Sequence, residues 1–225
     1  MAELKKSVLG KVSGTVGDIT FRQRRGKNVI GVRPRPFIPG DNLPSVERWV
    51  RFALSAKLAQ TINLIPALRL FWLEEIPADM SRYNNMIAVN FHRVRDGSLT
   101  ELATIMPSRG FDAAPESITI TEDAVTVILK PLGAATGIDV AAEPNVRLVA
   151  VLYVSKPSIA TLDQEGFGAL TSADQPLTLE AAMSFSISPG RVESQLIANY
   201  QEKKLLIAVI TLDTGNVPVR YSNTM

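Results

Sequence analysis

Residues 146–157 read VRLVAVLYVSKP. Leu148, Ala150, Leu152 and Val154 recur at every second position, which is the period of a β-strand. The same alternation runs through SITITEDAVTVILKP (117–131), where Val125, Val127 and Leu129 alternate with Thr126, Ile128 and Lys130. KKLLIAVITLD (203–213) and VPVRYSNT (217–224) are further β-rich runs, and LDTGNVPV (212–219) has the composition of a hairpin connection between them. LTLEAAMSFSIS (177–188) belongs to the same series, although Leu, Glu, Ala and Met also favour helix. Short strands punctuated by Pro, Gly, Asn and Asp point to an antiparallel β-sandwich over residues 103–225, of immunoglobulin or fibronectin-III type.

Toward the N-terminus the period changes. In PSVERWVRFALSAKLAQTINLI (44–65), Val46, Val50, Leu54, Leu58 and Ile62 follow a spacing of four. Trp49, Ala53 and Ala56 widen this stripe, while Arg48, Arg51, Lys57 and Gln60 lie off it, as in an amphipathic helix. Ser45, behind Pro44, is the expected N-cap. Pro66 bends or restarts the helix, ALRLFWLEEI carries it to Pro77, and SRYNNMIAVNFHRV supplies a second helix with a stripe of Met86, Val89 and Phe91. Residues 44–94 therefore read as a helical hairpin. Trp49, Phe52, Phe71 and Trp72 are expected in the core between helices and sandwich, or on a face that buries against a neighbouring copy.

Residues 1–40 differ from both. Gly10, Gly14, Gly17, Gly26 and Gly31 punctuate them, and Pro34, Pro36 and Pro39 close them. ITFRQRR and NVIGVRP form the strands of a hairpin joined at RGKN, with few apolar residues of its own. The segment is basic. Residues 1–36 hold nine Lys or Arg against two acids, a net of +7, while the other 189 residues hold fifteen against twenty, a net of −5. The expected fold is thus α+β, with a basic N-terminal arm and hairpin, a helical hairpin and a C-terminal β-sandwich.

The remaining composition limits the chemistry. The chain has 225 residues, 46% hydrophobic and 20% charged, enough for a substantial core. It has no cysteine, so disulfides and thiolate metal sites are excluded. Lys5 and Lys6 are not followed by an apolar run of signal-peptide length, and LLIAVITL is too short to span a bilayer. The expectation is synthesis in the cytoplasm without a signal peptide and without a membrane span. His92 is the single histidine, at a helix end where a cation suits the dipole. The chain contains neither a GxSxG nucleophile elbow nor a phosphate-binding GxxxxGK[ST] loop. Glu74 and Glu75 diverge on a helix, and Asp163 with Glu165 lacks the repeated acid spacing of a calcium loop. No catalytic residue, metal site or cofactor is expected, and the chain reads as a non-enzyme.

The order of short motifs resembles a family. GKVSGTVG spans Gly10–Gly17, followed by Arg25-Gly26-Lys27 and Arg33-Pro34; then come RWVRFALSAK, YNNMIAVNF, Ser108-Arg109-Gly110 and the closing YSNT. This resembles a family of uncharacterised proteins common in Bacteroidetes, defined only as a domain of unknown function. The resemblance implies the same succession of segments and brings no activity.

The basic arm is the feature above background. Lys11, Arg22, Arg24, Arg25, Lys27, Arg33 and Arg35 form the candidate site, because arginine forks bind phosphate oxygens and carboxylates bidentately. The partner is either a polyanion such as nucleic acid or the acidic remainder of another subunit, making a homo-oligomer or an array with other structural subunits. The expected function is that of a structural, self-assembling protein, a phage coat-type virion component. The alternatives are a soluble nucleic-acid-binding protein using the arm and a surface adhesion module.

Overall fold

A computed structural model describes residues 2–3, 13–24, 27–33 and 40–225. The protein is α+β, with four α-helices and several antiparallel sheets. Its contacts divide it into two compact units, Met1–Ser45 and Val46–Met225.

The first unit carries β1 (Ala2–Glu3), β2 (Gly14–Val16), β3 (Ile19–Arg24) and β4 (Lys27–Val32). They form one antiparallel sheet in the order β1-β4-β3-β2. Gly17 turns β2 into β3 at φ +55°, a left-handed conformation that costs glycine little.

Three helices follow: α1 (Leu43–Ile62), α2 (Pro66–Glu74) and α3 (Arg82–Phe91). The α1 cap corrects the sequence reading. Asn42 Oδ1, rather than Ser45, does the capping, accepting from the Ser45 N–H at 3.0 Å. This places Pro44 inside the first turn, where its missing N–H leaves no bond unmade. Pro66 opens α2 in the same way, and Ser81 caps α3 by accepting from the Asn84 N–H at 3.2 Å. His92 is the C-cap residue of α3.

A two-stranded ribbon, β5 (Val94–Arg95) and β6 (Ser98–Leu99), leads to the β-rich part. There β7 (Pro115–Ile120), β8 (Val125–Leu129) and β12 (Met183–Ile187) form a three-stranded sheet in the order β12-β8-β7. The larger sheet runs β10 (Glu165–Thr171), β9 (Asn145–Pro157), β13 (Tyr200–Leu212) and β14 (Pro218–Tyr221), with β11 (Gln175–Pro176) also pairing β9. A short 3₁₀ turn spans Ala134–Thr136, and α4 (Arg191–Asn199) joins β12 to β13.

The large sheet separates two cores. Leu148, Ala150, Leu152 and Val154 of β9, with Leu205, Ile207 and Val209 of β13, pack with Val125, Val127, Leu129, Met183, Phe185 and Ile187 of the small sheet. The intervening residues, Val149, Val151 and Tyr153 with Leu206, Ala208, Ile210 and Leu212, pack with Leu58, Ile62, Leu68, Phe71, Trp72 and Met86 of the helices. β9 and β13 are therefore buried on both faces, which is why their sequences are nearly continuous apolar runs. Each fully buried aliphatic side chain contributes on the order of 1.5–3 kcal/mol, so these two strands anchor the unit. Phe71 and Trp72 belong to the helical core, and the Trp72 indole N–H donates to the Ile105 carbonyl at 2.8 Å. Trp49 and Phe52 are each 52% exposed, so the aromatic set divides between core and surface.

Two elements carried weak sequence signals. β10 contains Gly166 and Gly168, which depress strand propensity, yet packing explains both. A Cβ on Gly166 would stand 2.6 Å from Leu196 Cδ2, and one on Gly168 would stand 2.9 Å from Glu193 Cγ. α4 lies so close to the strand that a side chain at either position would displace Leu196 or Glu193.

Candidate functional site

Arg22 and Arg24 sit on β3, where the register pairs Arg22 with Val29 and Arg24 with Lys27. The fold thus brings Arg24 and Lys27 together across the hairpin at the level of its turn. Arg33 follows β4, and its N–H donates to the Asp18 carbonyl at 2.6 Å, extending the ladder by one bond. The Arg22 and Arg33 side chains are exposed. Among the described residues neither forms an ion pair with a carboxylate. Lys11, Arg25 and Arg35 lie outside the described residues. Opposite the arginines, Gln23 donates to the Asn28 side chain at 3.5 Å, and Asn28 is buried. The same face carries Phe21 opposite Ile30 and Ile19 opposite Val32, so it is apolar away from the two amides. Exposed guanidinium groups without acid partners keep their donors available to carboxylate or phosphate, in contacts that salt weakens.

The second unit holds several polar clusters whose partners sequence reasoning did not bring together, although it weighed Glu75, Asp163 and Glu165 one by one. Glu75 accepts from the hydroxyls of Ser108 and Tyr221, both at 2.7 Å, and those two hydroxyls also lie 2.7 Å apart. Glu75 is exposed and links the start of the β-rich part to its last strand. Burial pushes the Tyr221 phenol above its usual pKa; the bond from Ser108 opposes this and Glu75 adds to it. Beside it, a Cβ on Gly110 would collide with the Tyr221 carbonyl oxygen. Gly110 N–H donates to Asn223 Oδ1 at 3.0 Å, Ser222 Oγ accepts from Val209 N–H at 2.9 Å, and Thr224 Oγ1 accepts from Ile105 N–H at 3.1 Å. The SRG and YSNT motifs are therefore two halves of one structural latch.

A further cluster lies along β10. Lys57 Nζ pairs with Asp163 at 3.4 Å, and the Tyr200 hydroxyl donates to the Asp163 carbonyl at 2.8 Å. Burial raises the Glu165 pKa, Lys57 opposes this and Asp163 adds to it. On another side, the buried Glu143 carboxylate accepts from Arg220 Nε at 3.1 Å and from the Thr211 hydroxyl.

Among the described residues no three His, Asp or Glu side chains gather as metal ligands would. No described helix is long and apolar enough to cross a membrane. Neither the known family models nor the curated proteins give a match to the chain.

Proposed function

We propose that the protein is a non-enzymatic assembly component, in its most specific form a coat-type virion subunit. In this reading its basic N-terminal sheet engages a neighbouring subunit or an enclosed polyanion. The observation that carries it is a basic sheet in a compact unit of its own, with exposed, unneutralised Arg22 and Arg33. The acidic body supports the subunit form, because the leading 36 residues and the remaining 189 carry opposite net charge.

The body itself reads as a fibronectin-III-like sandwich carrying added helices. The partition of its strands supports this: the first, second and fifth main strands (β7, β8, β12) form one sheet, and the third, fourth, sixth and seventh (β9, β10, β13, β14) form the other. Such a body offers rigid surfaces for packing, although fold by itself carries little functional weight.

A second reading, a soluble nucleic-acid-binding protein, is favoured by the same arginine forks. Light scattering on the purified protein, with and without nuclease, separates the two. Particles of many subunits that survive nuclease support subunit assembly. A small species whose nucleic-acid affinity falls steeply with salt supports the second reading.

A further inference from the structure

Among the described residues the outer edge of β10 is open. β10 pairs with β9 alone, and the ladder shows which of its backbone groups remain. Ser172 N–H donates to the Leu148 carbonyl at 2.9 Å. In an antiparallel pair, hydrogen-bonded and non-hydrogen-bonded positions alternate. Positions 170, 168 and 166 therefore bond β9, and the N–H and C=O groups of Glu165, Phe167, Ala169 and Thr171 face outward. The other side of the ladder agrees, since Ser222 N–H donates to the Val209 carbonyl at 2.8 Å and so assigns the odd positions of β13 to β14.

β10 has seven residues and is the longest outer strand among the described residues. It lacks the devices that blunt edges, with no proline, no lysine and no bulge. β7, by contrast, carries Pro115 and a register shift beside it. A groove of about 540 Å³ opens at the start of β10, at Glu165, Gly166 and Phe167, with Lys57 and Gln60 of α1 on one side and Val192 and Leu196 of α4 on the other. Asp163 and Glu165 stand in it against the one cation, Lys57.

We infer that this groove receives a β-strand from a second copy of the chain, and that the strand is β2. This deepens the assembly reading and rests on it. β2 is likewise the last strand of its sheet. Gly14, Thr15 and Val16 are all exposed, Val16 to 72%, and the strand belongs to the +7 end of the chain while the groove belongs to the −5 remainder. Main-chain bonds supply affinity in such strand addition, and the charge difference sets which edges meet. Because the two edges are different surfaces, the contact is heterologous and propagates into a ring or a filament.

The absence of native cysteine makes the test direct. Thr15→Cys and Gln164→Cys, the latter exposed between the groove residues Asp163 and Glu165, are prepared as separate full-length variants, mixed, and treated with a short bis-maleimide. The expected result is a 15-to-164 cross-linked dimer, at least tenfold more abundant in the mixture than with either variant alone. Ala169→Pro, which removes an outward N–H that β9 does not use, weakens association tenfold or more in sedimentation velocity. Wild-type assembly without the mixed cross-link, or with Ala169→Pro assembling as wild type, overturns the inference and leaves the assembly reading standing. A wild-type protein that stays monomeric at every concentration overturns both.

Discussion

The leading sheet and the central sheet are both antiparallel, and they are put to opposite uses. In the centres of β9 (148–154) and β13 (205–212) every side chain is buried, alternate residues facing helices and facing the small sheet. In β2 to β4 few residues are buried, and arginines occupy positions that a core strand would fill with Val or Ile. Stability of the body comes from a sheet covered on both faces. The leading sheet gives up that burial, which is consistent with a surface kept for an external partner.

The contrast is sharpened most by Trp72→Ala. Trp72 is fully buried and bonded to Ile105, and its truncation is expected to cost about 3–5 kcal/mol in denaturant unfolding. Phe21→Ala, on the half-buried leading sheet, leaves the main transition within about 0.5 kcal/mol. Equal losses at the two sites would erase the distinction. Next in size is Gly110→Ala, which forces a methyl group against the Tyr221 backbone. A loss of roughly 1–3 kcal/mol is expected, read as a lower melting temperature. Thr224→Val removes the acceptor for Ile105 N–H and is expected to cost about 1 kcal/mol.

The first three helices and most of the longer strands were legible because their periods are clear. Leu54, Leu58 and Ile62 mark α1, and the Thr-Gly-Asn connection marks the β13–β14 turn. The two-sided burial of β9 was harder to see. Leu148, Ala150, Leu152 and Val154 satisfy a one-sided pattern, and the meaning of Val149, Val151 and Tyr153 emerges only when the helices cover the second face. α4 escaped notice because it buries a single residue, Ile197. β10 escaped because its glycines, against which α4 packs closely, mimic a loop. Of the candidate site, the fold places Arg22, Arg24, Lys27 and Arg33 on or beside one hairpin, whereas the latch around Gly110 depends on contacts between distant segments that local pattern does not encode.

A smaller effect concerns Glu165, whose pKa burial raises above the ordinary carboxylate value. A raised carboxyl pKa means that the folded state holds the proton more tightly than the unfolded chain. The stability it confers is present below the unfolded pKa and is lost as pH rises through the folded value. Glu165→Gln is therefore expected to melt slightly above wild type at pH 7 and level with it near pH 4. A variant that melts below wild type at pH 7 would show that the carboxylate is stabilising where it stands.

The central claim is that the basic leading sheet acts on something outside its own chain. Sedimentation velocity of the full-length protein, beside a variant with Arg22, Arg24, Arg25 and Lys27 replaced by serine, tests it most directly. The account predicts large species for the wild type, shrinking as salt rises, and a small species for the variant with an unchanged melting temperature. Identical sedimentation of the two proteins at low salt, together with equal retention on a polyanion column, would contradict it.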